Sequence, residues 1–181
     1  MIKYLLALKY IIFLFIKYKF YRSGKKRYFS IFLHILKNKP IYICEVGVYT
    51  GERSNEIIKL AGILNGNKTV YYGFDLFEDI TIKKIKLEFS KQPLHINKIR
   101  KTLNKNSNCS KFYLIKGDTV NTLKNYDFKN NLDFVFIDGG HSIETINSDF
   151  MNLIKRIEKK GLVILDDYYS INKKIMKKAG C

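Results

Sequence analysis

The sequence predicts an α/β fold: a parallel sheet of about five strands with helices on both faces, preceded by an N-terminal helical extension and cut short after the fifth strand. Three observations lead there. Short, mostly apolar runs alternate with segments of helical periodicity, and strands without a polar face belong to a sheet covered on both sides. Four of those runs end in a carboxylate: Asp75, Asp118, Asp138 and the pair Asp166-Asp167. A glycine-bearing turn, Gly47 to Gly51, follows the first run directly.

Residues 1–37 read as helical, with Gly24 as a break and a second amphipathic piece over Tyr28–Leu36. Lys39-Pro40 ends that helix, because the residue before proline is pushed out of the helical region. This places the extension at 1–38 and the sheet domain at 39–181. Ile41–Val46 is the first strand and Arg53–Leu64 its helix, stopped near Asn65-Gly66-Asn67. Thr69–Phe74 is the second strand. Residues 80–103 mix polar and apolar positions and read as helical in parts, interrupted at Pro93, and Asn104–Ser110 reads as a loop. Lys111–Lys116 is the third strand, followed by a short helix at Val120–Lys124. Leu132–Ile137 is the fourth. Ile143–Lys159 is the clearest helix, with Ile143, Ile146, Phe150, Leu153, Ile154 and Ile157 at helical spacing. Gly161 closes it, and Leu162–Leu165 is the fifth strand.

At 181 residues the chain suits one domain with a real core, and 46% apolar residues, including 13 Phe and 13 Tyr, exclude global disorder. The net charge of +17 could attract nucleic acid, acidic lipid or an anionic substrate. Basic residues are scattered, however, and 28 Lys against 5 Arg, with abundant Ile and Asn, match an AT-biased coding sequence. Nucleic acid is therefore disfavoured, since such binding needs clustered charge. Cys44, Cys109 and Cys181 lack metal or disulfide spacing, which favours a reducing, cytoplasmic compartment. Residues 1–20 are apolar and aromatic but interrupted by Lys3, Lys9, Lys17 and Lys19, too broken for a spanning helix, and no signal-peptide cleavage site follows. Two readings stay open for residues 1–30: a helix packed on its own domain or a partner, and a helix lying in a membrane surface.

In an open parallel sheet the C-terminal strand ends share one edge, where ligands bind at the switch point of strand order. One acidic strand end is usually a helix cap or turn residue. Four beside a glycine turn point to a shared ligand site. The turn alone is a weak signal, since Gly47-x-x-x-Gly51 matches neither GxGxxG nor a P-loop. Asp75, following Gly47 by 28 residues at the second strand's end, can accept both ribose hydroxyls of an adenosine group; capping the next helix is the alternative.

Glu45-Val46-Gly47-Val48-Tyr49-Thr50-Gly51, Gly73-Phe74-Asp75, Lys116-Gly117-Asp118, Phe136-Ile137-Asp138-Gly139-Gly140-His141-Ser142 and Leu165-Asp166-Asp167-Tyr168 together resemble the class I S-adenosylmethionine-dependent methyltransferases, over about residues 40–169. The nearest resemblance is to the small-molecule O-methyltransferase branch that includes macrocin O-methyltransferase-like enzymes. The resemblance implies a Rossmann-like fold and S-adenosylmethionine as cofactor. It implies that Glu45, Gly47 and Gly51 shape the pocket for the methionine part, with the Val48 backbone nearby. Asp75 would bind the ribose, Asp118 would lie beside the adenine, and Asp138 would stand next to the methyl donor. In metal-dependent members the acids matching Asp138, Asp166 and Asp167 hold magnesium, a hard cation suited to oxygen ligands. His141, three residues past Asp138, is the candidate general base, with a structural hydrogen-bonding role as the alternative. Tyr49 and Tyr168 are candidate pocket walls.

Two departures stand out. Gly140 occupies a position where relatives carry an acidic or small polar residue. The chain also ends at Cys181, where the class adds two further strands as a reversed hairpin, so a truncated chain or a shortened sheet is expected, its edge open to a partner or a second copy. The leading expectation is methyl transfer to a small-molecule hydroxyl, with magnesium assistance open. The alternatives are a non-catalytic cofactor-binding module tethered to a membrane or complex, and a nucleotide-dependent oxidoreductase, which the missing GxGxxG disfavours.

Overall fold

Five strands, Tyr42–Val46 (β1), Val70–Asp75 (β2), Lys111–Lys116 (β3), Leu132–Ile137 (β4) and Ile157–Leu165 (β5), pair in parallel in the order β3-β2-β1-β4-β5 in the computed structural model. It describes residues 2–21, 23–88, 90–106 and 111–166. Seven helices accompany the strands among those residues: Ile2–Ile16 (α1), Phe29–Asn38 (α2), Glu52–Asn65 (α3), Ile82–Leu87 (α4), Ile96–Asn106 (α5), Thr119–Asn125 (α6) and Ile143–Ile154 (α7).

Side chains alternate across the sheet, and both faces are covered. Ile43, Tyr71, Phe134 and Phe136 point to one face, where they share a core with α1, α2, α3 and α5. Cys44, Val46, Tyr72, Phe74, Val135 and Ile137 point to the other, against Leu123 of α6 and Leu153 of α7. Cys44 is a buried core residue, and burial pushes its thiol pKa up, as expected for an inert side chain.

The N-terminal extension joins the first of these cores. Ala7, Ile11 and Leu14 of α1 and Ile31, Phe32 and Ile35 of α2 are buried in it. The break between the two helices is longer than a glycine alone would make, with a π-helical turn over Lys17–Tyr21 and a 3₁₀ turn over Ser23–Tyr28. Two side chains of this break tie down to α3. The Lys17 ammonium donates to Glu52 at 2.7 Å and also to Glu56, and the Tyr18 hydroxyl donates to Glu56 at 2.6 Å. Helix α2 stops at Lys39, held left-handed at φ 49° before Pro40, as the Lys-Pro signal predicts.

Two boundaries differ from the sequence reading. Helix α5 continues to Asn106, past the start of the expected loop. Helix α7 stops at Ile154 rather than Lys159, and the chain enters β5 at Ile157, which pairs with Leu132. Gly161 therefore lies inside a strand, beside a register irregularity between Leu132 and Phe134. A Cβ there would sit 2.9 Å from the Leu132 carbonyl oxygen, so glycine allows the bulged edge to close on β4. No helix among the described residues is long and apolar enough to cross a membrane.

Candidate functional site

Strands β1 and β4 are neighbours at the point where the strand order reverses, so their following loops leave in opposite directions and open a crevice between them. Val46 lies opposite both Phe74 and Ile137, and Ile137 lies opposite Leu165. That register sets Gly47, Asp75, Asp138 and Asp166 along one sheet edge. A cleft of ≈ 440 Å³ occupies the edge, lined among others by Gly47, Val48, Asp75, Asp118, Asp138 and His141. Its size suits a small molecule, for which sites run about 300–1,000 Å³.

The turn after β1 is drawn against the tip of β4. Gly47 has φ +90°, and a Cβ on it would lie 1.9 Å from the Asp138 carbonyl oxygen. Gly51, at φ +73°, starts α3 where Ile99 leaves no room for a side chain. Asp75 fixes the same turn from the other side. Its Oδ2 accepts the Tyr49 amide at 2.7 Å and its Oδ1 the Phe77 amide at 3.0 Å. Burial pushes its pKa up, opposed by those amides. Asp118 caps α6 by accepting the Val120 amide at 3.2 Å and also pairs with Lys84, so the capping role and the cleft position coexist.

Glu45 sits elsewhere than expected. The strand's alternation points it to the α3 face, where it is 0% exposed and is not part of the cleft wall. Its carboxylate accepts from Arg53 Nε at 2.9 Å, from Ser54 at 2.6 Å and from the Tyr71 hydroxyl. Glu45 is thus a positioning residue for Arg53. The same guanidinium reaches the Gly47 carbonyl at 3.2 Å and pairs with Asp138 Oδ2 at 2.8 Å. It lies against the rings of Tyr28 and Phe136, which meet edge to face, with its Cζ 4.6 and 4.5 Å from their centroids. The sequence carried one cue to Arg53: a cation in the first turn of a helix opposes the macrodipole unless acids hold it there.

The extension reaches this site as well. Arg27 forks onto Asp166, with Nε and Nη2 each 2.8 Å from one carboxylate oxygen. The Tyr28 hydroxyl lies 2.9 Å from Asp166 Oδ2 and 3.2 Å from Asp138 Oδ2. Burial, opposed by Arg53 and reinforced by Asp166, pushes the Asp138 pKa up. Burial also penalises the Asp166 charge, but hydrogen bonds from Arg27 and Asp138 outweigh it and hold Asp166 low. No sequence cue pointed to Arg27 or Tyr28.

Two of the three expected magnesium ligands are described, and side chains already engage both. Asp138 and Asp166 do converge, but each already faces a guanidinium and shares the Tyr28 hydroxyl, so the charge that would draw a dication is compensated by side chains. No group of three or more potential ligands gathers among the described residues. Asp167 and Tyr168 lie outside the described residues.

Gly140 has a steric explanation. A Cβ there would lie 2.6 Å from the Glu88 carboxylate, which accepts from the Ser142 amide at 2.8 Å and from the Ser142 and Thr145 hydroxyls at 3.0 and 2.7 Å. Glu88, which the sequence reading missed, thereby pins the loop bearing His141. His141 Nδ1 lies 2.8 Å from the Glu88 carbonyl oxygen. A carbonyl only accepts, so Nδ1 carries a proton.

Behind this loop Asp149 is fully buried, and among the described residues neither carboxylate oxygen has a partner at normal hydrogen-bond geometry. Burial pushes its pKa up to about 7, against an opposing contribution from the Thr119 side chain, with the Asp118 and Glu88 charges adding to the rise. The folded state then holds a proton that the unfolded chain releases near pH ~4, so stability falls as pH rises from ~4 to 7. Asp149→Asn should remove that decline. In thermal melts its advantage over the parent should be largest at pH 8 and shrink toward pH 4; a constant difference would refute the assignment.

The profile of the methyltransferase domain family matches residues 44–168. The chain belongs to that family. The match takes in the sheet from Cys44 of β1 onward and the cleft edge, and the fold is that of the class I S-adenosylmethionine-dependent methyltransferases. Among relatives of this methyltransferase domain, an uncharacterized protein, R132, of Acanthamoeba polyphaga mimivirus is 33% identical over 97 residues, covering 48% of this chain and 42% of that protein. Among solved structures, the O-methyltransferase TomG from Streptomyces achromogenes, in complex with SAM, superposes with a TM-score of 0.53 at 12% identity, over 74% of this chain and 51% of TomG. The SAH-bound methyltransferase PaMTH1 of Podospora anserina gives 0.57 at 15% identity, over 83% and 61%. The chain spans about half the length of these relatives.

Proposed function

We propose that the protein transfers the methyl group of S-adenosylmethionine to a hydroxyl of a small molecule. The observation that carries this is the convergence of the Gly47 turn, Asp75, Asp118 and Asp138 on one cleft at the switch point of a methyltransferase sheet. The donor set suits the cofactor: Asp75 for the ribose hydroxyls, Asp118 beside the adenine, and the turn at Gly47 and Val48 with Asp138 for the methionine end. When bound, the cofactor supplies an electrophilic methyl group on a sulfonium.

The residues' own work is alignment and proton removal. The Gly47 turn, clamped by Arg53 and Asp75, holds one reactant against the β4 tip. His141, its Nδ1 proton fixed by the Glu88 carbonyl, presents Nε2 as the base for the acceptor hydroxyl. Arg27, Arg53 and Tyr28 compensate the Asp138-Asp166 pair, so this reading uses no magnesium step. The O-methyltransferase TomG among the structural neighbours supports oxygen as the acceptor atom.

Calorimetric titration with S-adenosylmethionine and with NAD, each with magnesium and with EDTA, tests the reading. Saturable binding of S-adenosylmethionine alone, indifferent to EDTA, is expected. Asp75→Asn should weaken it by at least about tenfold, the scale of a lost charge-assisted hydrogen bond. Heat with NAD but not with S-adenosylmethionine would turn the reading to a nucleotide-dependent oxidoreductase. Binding without methyl transfer to any hydroxylated acceptor would leave a cofactor-binding module.

A further inference from the structure

Helix α1 is apolar on two opposite sides, and only one of them has a partner. Ala7, Ile11 and Leu14 face the core, while Ile2, Leu5, Ile12, Phe13 and Ile16 point away from it, between 44% and 73% exposed. The turn that follows adds Phe20 and Tyr21, 66% and 83% exposed. A helix apolar all round belongs in a core or a membrane, and contiguous exposed patches of this kind mark interaction sites.

The charge around the patch identifies the occupant. Residues 1–44 contain ten Lys and Arg and not one Asp or Glu. Lys3, Lys19 and Lys26 are exposed around it, and Lys9, at helical spacing between Leu5 and Ile12, lies within the outward face, its long stem able to lift its ammonium to the headgroups. Lys19 lies over the rings of Phe15 and Phe20, its stem along the apolar surface and its ammonium at the rim. A second copy would bring another strongly basic N-terminus, of a chain at +17, against the first. An anionic surface is complementary. The helix is also too short to span a bilayer.

We infer that α1 and the turn after it dock the protein on an anionic lipid bilayer, with the outward face of α1 in the headgroup-acyl boundary and the surrounding lysines on acidic headgroups. Tyr18, Arg27 and Tyr28, which follow α1 in the chain, line the cleft, so the docking segment is continuous in sequence with the site. The inference does not depend on the methyl-transfer reading.

Vesicle co-sedimentation of the full chain tests it. Vesicles of phosphatidylcholine with about one third phosphatidylserine should carry the protein down, and pure phosphatidylcholine vesicles should not. Ile12→Glu with Phe13→Glu should lower the partition at least about tenfold, because it charges the inserted face. The chain contains no tryptophan, so Phe13→Trp is a clean probe whose emission should shift to the blue on anionic vesicles and be quenched by brominated acyl chains. Equal pelleting of parent and double variant, equal binding to neutral vesicles, or an unshifted probe would each overturn it. So would a stable dimer, by light scattering, that the double variant dissociates and vesicles do not.

Discussion

Arg53→Met should lower the unfolding free energy by about 3–5 kcal/mol, the usual penalty for removing one partner of a buried ion pair. The guanidinium stands between two acids, Glu45 at 0% and Asp138 at 15% side-chain exposure. For a domain of this size that loss corresponds to a fall of roughly 10 °C or more in melting temperature. The site should suffer with the fold, because Arg53 also holds the Gly47 carbonyl at 3.2 Å. A thermal melt and a cofactor titration on the same variant measure both effects. Adding Glu45→Gln to Arg53→Met should recover part of the stability by removing one stranded charge, but not the cofactor affinity. Equal stability of parent and Arg53→Met would show that the buried carboxylates do not need their cation.

Gly47→Ala should abolish cofactor binding, with a loss of about a hundredfold or more, and destabilise the domain by several kcal/mol (~3 or above). The added methyl would meet backbone, the Asp138 carbonyl oxygen at 1.9 Å, at a φ of +90° that side-chain-bearing residues avoid. Backbone cannot swing aside, so the β1 turn and the β4 tip must separate, and that junction is where the cleft opens. Gly66→Ala is the matched control. Gly66 also has positive φ, +67°, but a Cβ there meets nothing within 4 Å. Its cost should be conformational only, about 1–3 kcal/mol, with cofactor binding unchanged. Similar losses for the two variants, by denaturant titration and calorimetry, would mean that backbone freedom rather than close approach explains Gly47.

The two variants probe different kinds of information. Gly47 was visible before any coordinates, because a glycine after an apolar strand and before a helix has few other uses. Arg53 was visible only as a cation in the first turn of a helix. Its significance comes from Glu45 below it and Asp138 beside it. The same contrast holds between Asp75, found from its place after an apolar run, and Glu88, which sits in a segment without clear periodicity and matters only because Gly140 lets its carboxylate approach.

By itself the sequence determined the strands, their parallel arrangement and the carboxylates at their tips, because uniform apolar runs, helical spacing and chain-breaking residues are local signals. It misplaced the end of α7 and the start of β5, since Ile157 continues a helical pattern as readily as it begins a strand; pairing with Leu132 chooses the strand. Only the tertiary structure decided what each carboxylate faces. Arg27 and Asp166 are 139 residues apart, and their contact depends on strand order and on the extension folding back over the sheet edge. Charges so far apart in sequence acquire partners only when packing fixes their distance, and here packing set guanidinium groups beside two of the carboxylates, Asp138 and Asp166.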